Sequence, residues 1–466
     1  MATKLGFSPE SRRLFGRSLR RRLSRDEHGG WREEWRRLDP LATLKASNAE
    51  RLPELVPLKL ARMAASPFGF FRGAAPIMAG DLARRPVTGL LTQISGDAHI
   101  KNLGAYAAPD GHLVFDLNDF DETIVGPWEW DLKRLAASFV LAAREAGSGK
   151  ALAREAVLHL VRSYREGLQR LEALCTLDLI RVEVRRHLDT ELMRDVLGKA
   201  ERVTPVHSLQ KLTVPRRGGR REFHDRPPVL YHVAEREARS VLRSLSSYRD
   251  TLSADRQLAL DAYRPLDVAF KVVGTGSVGT RDYAVLLLGR GPEDPLLLQV
   301  KQAVPSCYQS YLPAAPRYEH QGRRVAEGQH RMQSATDPLL GWTTVDGRDF
   351  IVRQLADHKA GLEPEDLVGE ALVSYALVAG ELLAKAHARA GDAAAIGGYC
   401  GRSERLDRAI LGFAIAYADQ TERDHARLVQ AIKTGEVRAA SEFSLRRDWR
   451  RRARPRRVAK ATPSPK

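Results

Sequence analysis

The stretch Ile94–Glu122, ISGDAHIKNLGAYAAPDGHLVFDLNDFDE, constrains this chain more than any other, because it fits two short strands joined by a tight turn with polar residues at both ends. Pro109-Asp110-Gly111 supplies the turn: proline presets its own φ, and glycine accepts the positive φ that closes a hairpin. Asp97 and Asn102 stand at the mouth of the first strand. Asp116, Asp119 and Asp121 follow the apolar run Leu113-Val114-Phe115 of the second, so a hairpin brings the two polar ends together. A hard cation such as Mg2+ takes one or two carboxylates and completes its shell with phosphate and water oxygens, and this cluster offers such ligands.

A chain of 466 residues has core enough for two or three domains, or for one two-lobed enzyme with extensions. No window approaches the run of about 18 uncharged apolar residues that a membrane span needs, so no membrane contact is expected. The start, MATKLGFSPESRRLFGRSLRRRL, is basic and lacks an apolar signal core, which argues against secretion. Cys175, Cys307 and Cys400 lie far apart without CxxC spacing, which points to a reducing compartment and a cytoplasmic protein. The net charge of +17 sits mostly at the ends, with seven arginines from Arg12 to Arg25 and eight from Arg446 to Arg457. Terminal runs of this kind contact polyanions loosely, whereas a nucleic-acid groove interleaves its basic residues with aromatics.

Residues 1–60 read as a basic N-terminal arm, with Trp31 and Trp35 spaced for one helical face. Residues 61–265 read as the first part of a mainly helical lobe that carries the 94–122 stretch. In SPFGFFRG, Arg72 reaches a phosphate, stacks on its aromatic neighbours or pairs with a carboxylate. Gly126-Pro127 reads as a turn into a long helix, near whose start the Asp131 carboxylate can satisfy free N–H groups or reach back to hold a neighbouring loop, the role of a brace. Val214–Arg226 reads as a basic, glycine-broken loop.

The character changes near residue 266, where 266–360 form a strand-rich unit. Phe270–Ala303 reads as three strands, and the first turn holds Gly274, Gly276, Ser277 and Gly279. In a dinucleotide-binding unit such glycines open a helix. Here the strand run Tyr283–Leu288 follows, the arrangement of the flap that covers nucleotide phosphates in kinase-like enzymes. Lys301 ends the apolar strand LLLQVK, where an ammonium reaches the α and β phosphates, and Glu327 is the expected partner, with Glu319 in reserve. Residues 361–445 supply helices that complete the larger lobe, and 446–466 form an Arg-rich disordered tail.

Asp97 and Asn102 within SGDAHIKN resemble the catalytic loop HGD-x-H-x-x-N of aminoglycoside and choline phosphotransferases, which belong to the protein-kinase-like superfamily. Asp119-Phe120-Asp121 resembles their metal-binding Asp motif, and Gly126-Pro127 with Asp131-Leu132 their glycine-proline and Asp-Leu element. Ser95 stands near the place of the pattern's first histidine. The phrases SPFGFFRGAA, GDAHIKNLG, FDLNDFDET, GPWEWDLKRLAAS, VGTGSVGTR and YADQTERDHA are similar to those of the bacterial domain-of-unknown-function family 2252, over about residues 30–430. The resemblance implies Asp97 as the base that takes the proton of an attacking hydroxyl, His99 as the loop's second histidine, and Asn102 with Asp119 as metal ligands, Asp116 being the alternative to Asp119.

In an ordinary kinase-like chain the flap and lysine precede the catalytic loop, whereas here the loop at 97 comes first. The expectation is therefore an α+β, two-lobed, protein-kinase-like fold, circularly permuted, with a mainly helical larger lobe. The expected activity is ATP- and Mg2+-dependent phosphotransfer from the nucleotide to a hydroxyl of a small molecule or protein. AMP transfer, a nucleotide-binding pseudokinase scaffold, and a nucleic-acid binder using the arginine ends are the competing readings. The permuted reading requires the Asn102 loop and the Lys301 strand to face one cleft.

Overall fold

The computed structural model describes residues 8–216, 221–291, 293–355 and 358–446. The stretch Ile94–Glu122 carries two strands, β2 (Leu103–Ala107) and β3 (Leu113–Leu117), and is flanked by β1 (Leu91–Ile94) and β4 (Ile124–Pro127). β2 and β3 form the expected antiparallel hairpin, with Gly104 opposite Asp116 and Ala105 opposite Phe115. Gly111, at φ +89°, closes the turn in a conformation that side chains disfavour. β1 pairs with β4. Gly126-Pro127 therefore ends a strand, and is not a free turn, before the helix Trp128–Glu145 begins.

A ribbon of β5 (Thr213–Pro215) and β6 (Arg221–Phe223) occupies much of what reads as an irregular basic loop. The main sheet is antiparallel and six-stranded: β7 (Leu230–His232), β8 (Arg264–Lys271), β9 (Asp282–Leu288), β10 (Pro295–Gln302), β11 (Gly341–Val345) and β12 (Arg348–Gln354), in the order β11-β12-β10-β9-β8-β7. A short β13 (Ala360–Gly361) adds to β2. The unbroken apolar runs YAVLLL and LLLQV follow from burial on both faces of the sheet. Val285, Leu287 and Leu298 pack with Leu55, Leu58 and Tyr248 on one side. Ala284, Leu286 and Leu297 pack with Leu209 and Phe223 on the other.

The helical body has its own core, built from Trp128–Glu145, Lys150–Leu171, Glu370–Ala390 and Arg405–Lys433. Close helix approach depends on small residues: a Cβ on Gly380 would lie 2.3 Å from the Leu160 carbonyl oxygen, and one on Gly167 would lie 2.8 Å from Ala384 Cβ. Glu370–Ala390 ends against β1, where Thr92 Oγ1 donates to the His387 carbonyl at 3.4 Å.

The N-terminal segment wraps this body. Pro9–Ser18 lies on Ala393–Cys400, and Arg20 and Arg25 donate to the Gly398, Tyr399 and Cys400 carbonyls that end that helix. Trp31 and Trp35 do not share an α-helical face. Trp35 ends a 3-10 turn (Glu33–Trp35), and Trp31 packs edge-on to Tyr417 at 5.1 Å. The arginine run after Arg446 lies outside the described residues. Among the described residues, no helix is long and apolar enough to cross a membrane.

Candidate functional site

The loop after β1 is shaped by Asp131. Its carboxylate accepts from the Ser95 N–H at 2.7 Å and the Gly96 N–H at 2.9 Å, which makes it the brace its place at a helix start suggested. His387 Nε2 sits 3.4 Å from the same carboxylate, and its Nδ1 lies 2.9 Å from Tyr164 Oη. The end of the Glu370–Ala390 helix thus supports the loop although the two are remote in sequence. Gly96 takes φ +78°, and a Cβ there would lie 2.4 Å from the Glu122 carbonyl oxygen, so this turn needs glycine. Asn102 Nδ2 donates to the Asp97 carbonyl at 2.9 Å, which fixes the five-residue span and leaves the amide oxygen for another partner.

Asp97 is held by Arg134, whose Nε donates to Oδ1 at 2.6 Å and whose second nitrogen donates to the Phe71 carbonyl at 2.9 Å. Burial pushes the Asp97 carboxyl up to about 6; Arg134 opposes this and Asp119 adds to it. His99 is buried, edge-on to Phe68, with Nε2 3.9 Å from Asp97 Oδ2, too far for a hydrogen bond. Burial, with Arg72 and Arg134 nearby, holds its imidazole well below the usual value, so it is neutral.

Two adjoining cavities meet at this loop. One, of about 290 Å3, is lined by Asn102, Asp119, Gly274, Ser277 and Lys301. The other, of about 90 Å3, is lined by Asp97, His99, Asn102, Asp119, Gly274, Gly276 and Ser277. Arg72, Asn102, Asp119, Gly274 and Ser277 border both. A third cavity, about 730 Å3, lies behind Lys271 and holds none of these loop and flap residues.

The glycines join β8 to β9 without an intervening helix. Gly274 (φ +62°) and Gly279 (φ +91°) take the left-handed turns, and Ser277 Oγ donates to the Val273 carbonyl at 3.0 Å. The N-terminal segment pins the loop: Arg62 donates to the Gly274 carbonyl, Arg51 to Val278 at 2.7 Å, and the Leu52 N–H to Gly279 at 2.8 Å. Gly279 borders neither cavity.

Lys301, 3 % exposed, pairs with Asp121 at 2.5 Å. Burial alone would raise the Asp121 carboxyl, but Lys301 holds it below the usual range. The expected partner, Glu327, is corrected by the geometry: it lies on the outer side of the helix Gln321–Met332 and pairs with Arg323 at 2.7 Å and Arg331 at 3.2 Å. Glu319 precedes that helix and is exposed. Asp116 is also set apart. It is buried against Lys385, accepts from the Leu117 N–H at 2.8 Å, and borders neither cavity, so its charge is already balanced. Asp119 is the carboxylate of the pair that faces the cleft.

Sequence reasoning passed over Arg134, though it stands three residues after Asp131 and so on the same helical face, where both reach one loop. It also passed over Arg324, which donates to the Asp121 and Val304 carbonyls at 2.8 Å each and fixes the Asp119–Thr123 turn against the sheet.

The family model for the uncharacterized proteins conserved in bacteria, DUF2252, matches residues 51–431. No curated protein and no solved structure matches the chain. The matched span includes Asp97, Asn102, Asp119, the glycine loop and Lys301, and the chain belongs to the DUF2252 family.

Proposed function

We propose that the protein is an ATP- and Mg2+-dependent phosphotransferase with a circularly permuted kinase-like architecture, acting on a hydroxyl. One observation carries this reading: Asn102, Asp119, Gly274 and Lys301, drawn from distant parts of the chain, border one cavity, and Asp97 opens onto its neighbour across the same residues. The larger cavity suits the nucleotide phosphates, with the Gly274–Gly279 loop over them and Lys301 as their cation. The smaller suits the acceptor, whose hydroxyl proton passes to Asp97. A carboxyl near 6 is ionised at neutral pH and still basic enough for that task. The permutation is supported by the helix Glu370–Ala390, which ends beside β1 without a chain connection to it.

The residues fit a hard cation. Among the described residues no group of three His, Cys, Asp or Glu side chains is ready to hold a metal alone. Asp119 and the free amide oxygen of Asn102 instead offer the two oxygens that Mg2+ takes when phosphate and water complete its shell. Bound there, the ion would supply charge neutralisation at the phosphates.

The test is label transfer. ATP labelled at the γ position, Mg2+ and a lysate should give a labelled acceptor with the native chain and none with Asp97→Ala. Transfer from α-labelled ATP instead would identify an AMP-transferring enzyme, and nucleotide binding without transfer a pseudokinase.

A further inference from the structure

The smaller cavity is lined by three basic side chains, Arg51, Lys59 and Arg72, and among the described residues none lies within ion-pair distance of a carboxylate. The carboxylates there already have donors: Asp97 has Arg134, Asp121 has Lys301, Glu122 accepts from the Cys307 N–H at 2.7 Å, and Asp119 accepts from the Asp121 N–H at 3.2 Å. Lys59 is 1 % exposed and donates to Asn48 Oδ1 at 2.7 Å, which uses one of its three N–H bonds. Arg72 Nε is buried with no hydrogen-bond partner. Burial, with Arg51 adding to it and Glu122 opposing, holds the Lys59 ammonium well below its usual value, a cost that a bound anion would offset.

We propose that this cavity seats the anionic group, phosphate or carboxylate, of a small hydroxylated acceptor. The inference rests on the phosphotransferase reading. At about 90 Å3 the cavity is far below the roughly 300 Å3 at which drug-sized pockets begin, so it fits a compact anionic group. Arg51 and Lys59 hold the anion, and Arg72, which borders both cavities, faces the group in transit. In the transfer, the acceptor oxygen forms a bond to the γ phosphorus. The bond from that phosphorus to the β–γ bridging oxygen breaks, ADP leaves with the electron pair, and the hydroxyl proton goes to Asp97.

The experiment titrates orthophosphate into the full chain, alone and saturated with Mg2+ and a non-hydrolysable ATP analogue, by calorimetry. The expected result is binding at about millimolar or tighter in both states. Lys59→Met and Arg51→Gln should each weaken it by about tenfold or more, Arg51→Lys should restore part of it, and analogue affinity should stay within about twofold in Lys59→Met. A thermal melt establishes that each variant folds, and Arg51→Gln carries the test if Lys59→Met does not. Absence of orthophosphate binding, or binding that these variants leave unchanged, overturns the proposal. A chain that binds orthophosphate in this cavity but never binds the analogue overturns the phosphotransferase reading instead.

Discussion

Lys301 Nζ lies 2.5 Å from Asp121 Oδ2, so the lysine of the main sheet is paired with the turn that also presents Asp119 to the cleft. The pair ties the sheet to the helical body at the point where phosphates are proposed to bind. Lys301→Met should abolish stabilisation by a Mg2+–nucleotide in a thermal melt. It should also lower the free energy of unfolding by about 3 kcal/mol, the low end for a broken buried pair because Asp121 keeps some access to water. The double variant Lys301→Met/Asp121→Asn should recover part of that stability in urea without recovering nucleotide binding. Because Lys301 holds the folded Asp121 carboxyl below its unfolded value, the contribution is present above the ordinary carboxylate range and is lost as pH falls through the folded value.

As the proposed base, Asp97 should set the pH dependence of transfer. With its carboxyl at about 6, raised by burial against the pull of Arg134, the base is protonated below that pH and free above it. The rate should therefore climb as pH rises through about 6 and then level, and Asp97→Ala should cost about 10²–10⁴ in kcat while nucleotide affinity holds. A profile flat from about pH 5 to 7 would remove Asp97 as the titrating base.

Asp131→Ala would leave the Ser95 and Gly96 N–H groups buried and unpaired. About 2–4 kcal/mol of stability should be lost in chemical denaturation, with activity falling together with the loop that holds Asp97.

Glu327→Gln should behave as a surface change, within about 0.5 kcal/mol in stability, because its partners are Arg323 and Arg331 on the same helix. Nucleotide affinity measured by calorimetry should not move. A loss matching that of Lys301→Met would return Glu327 to the role that Asp121 holds here.

Much of the site was legible because its signals are local. The Pro109-Asp110-Gly111 turn and the flanking apolar runs encode the β2–β3 hairpin, and a glycine turn between two strand runs encodes the β8–β9 connection. Asp131 was readable as a brace from its place at a helix start. Partner choice was not readable. Glu327 has the helix position expected of a lysine partner, but it pairs along its own helix with Arg323 and Arg331, four residues to either side, and three-dimensional proximity gives Lys301 to Asp121. The resemblance puts Asp119 first with Asp116 as the alternative; the fold separates them by placing Asp116 on β3, buried against Lys385, and Asp119 in the turn beyond it, at the cleft. The proposed role of Arg51 and Lys59 depends on a cavity whose other walls come from the distant segments 97–122 and 274–304, and it leaves no pattern in the chain.

The most direct measurement of the central claim is a crystal structure of the full chain with Mg2+ and a non-hydrolysable ATP analogue. The β and γ phosphates should lie between the Gly274–Gly279 loop and Lys301, with the ion on Asp119 and Asn102 and the γ phosphate at the border with the Asp97 cavity. A nucleotide bound elsewhere, or phosphates facing away from Asp97, would contradict that claim.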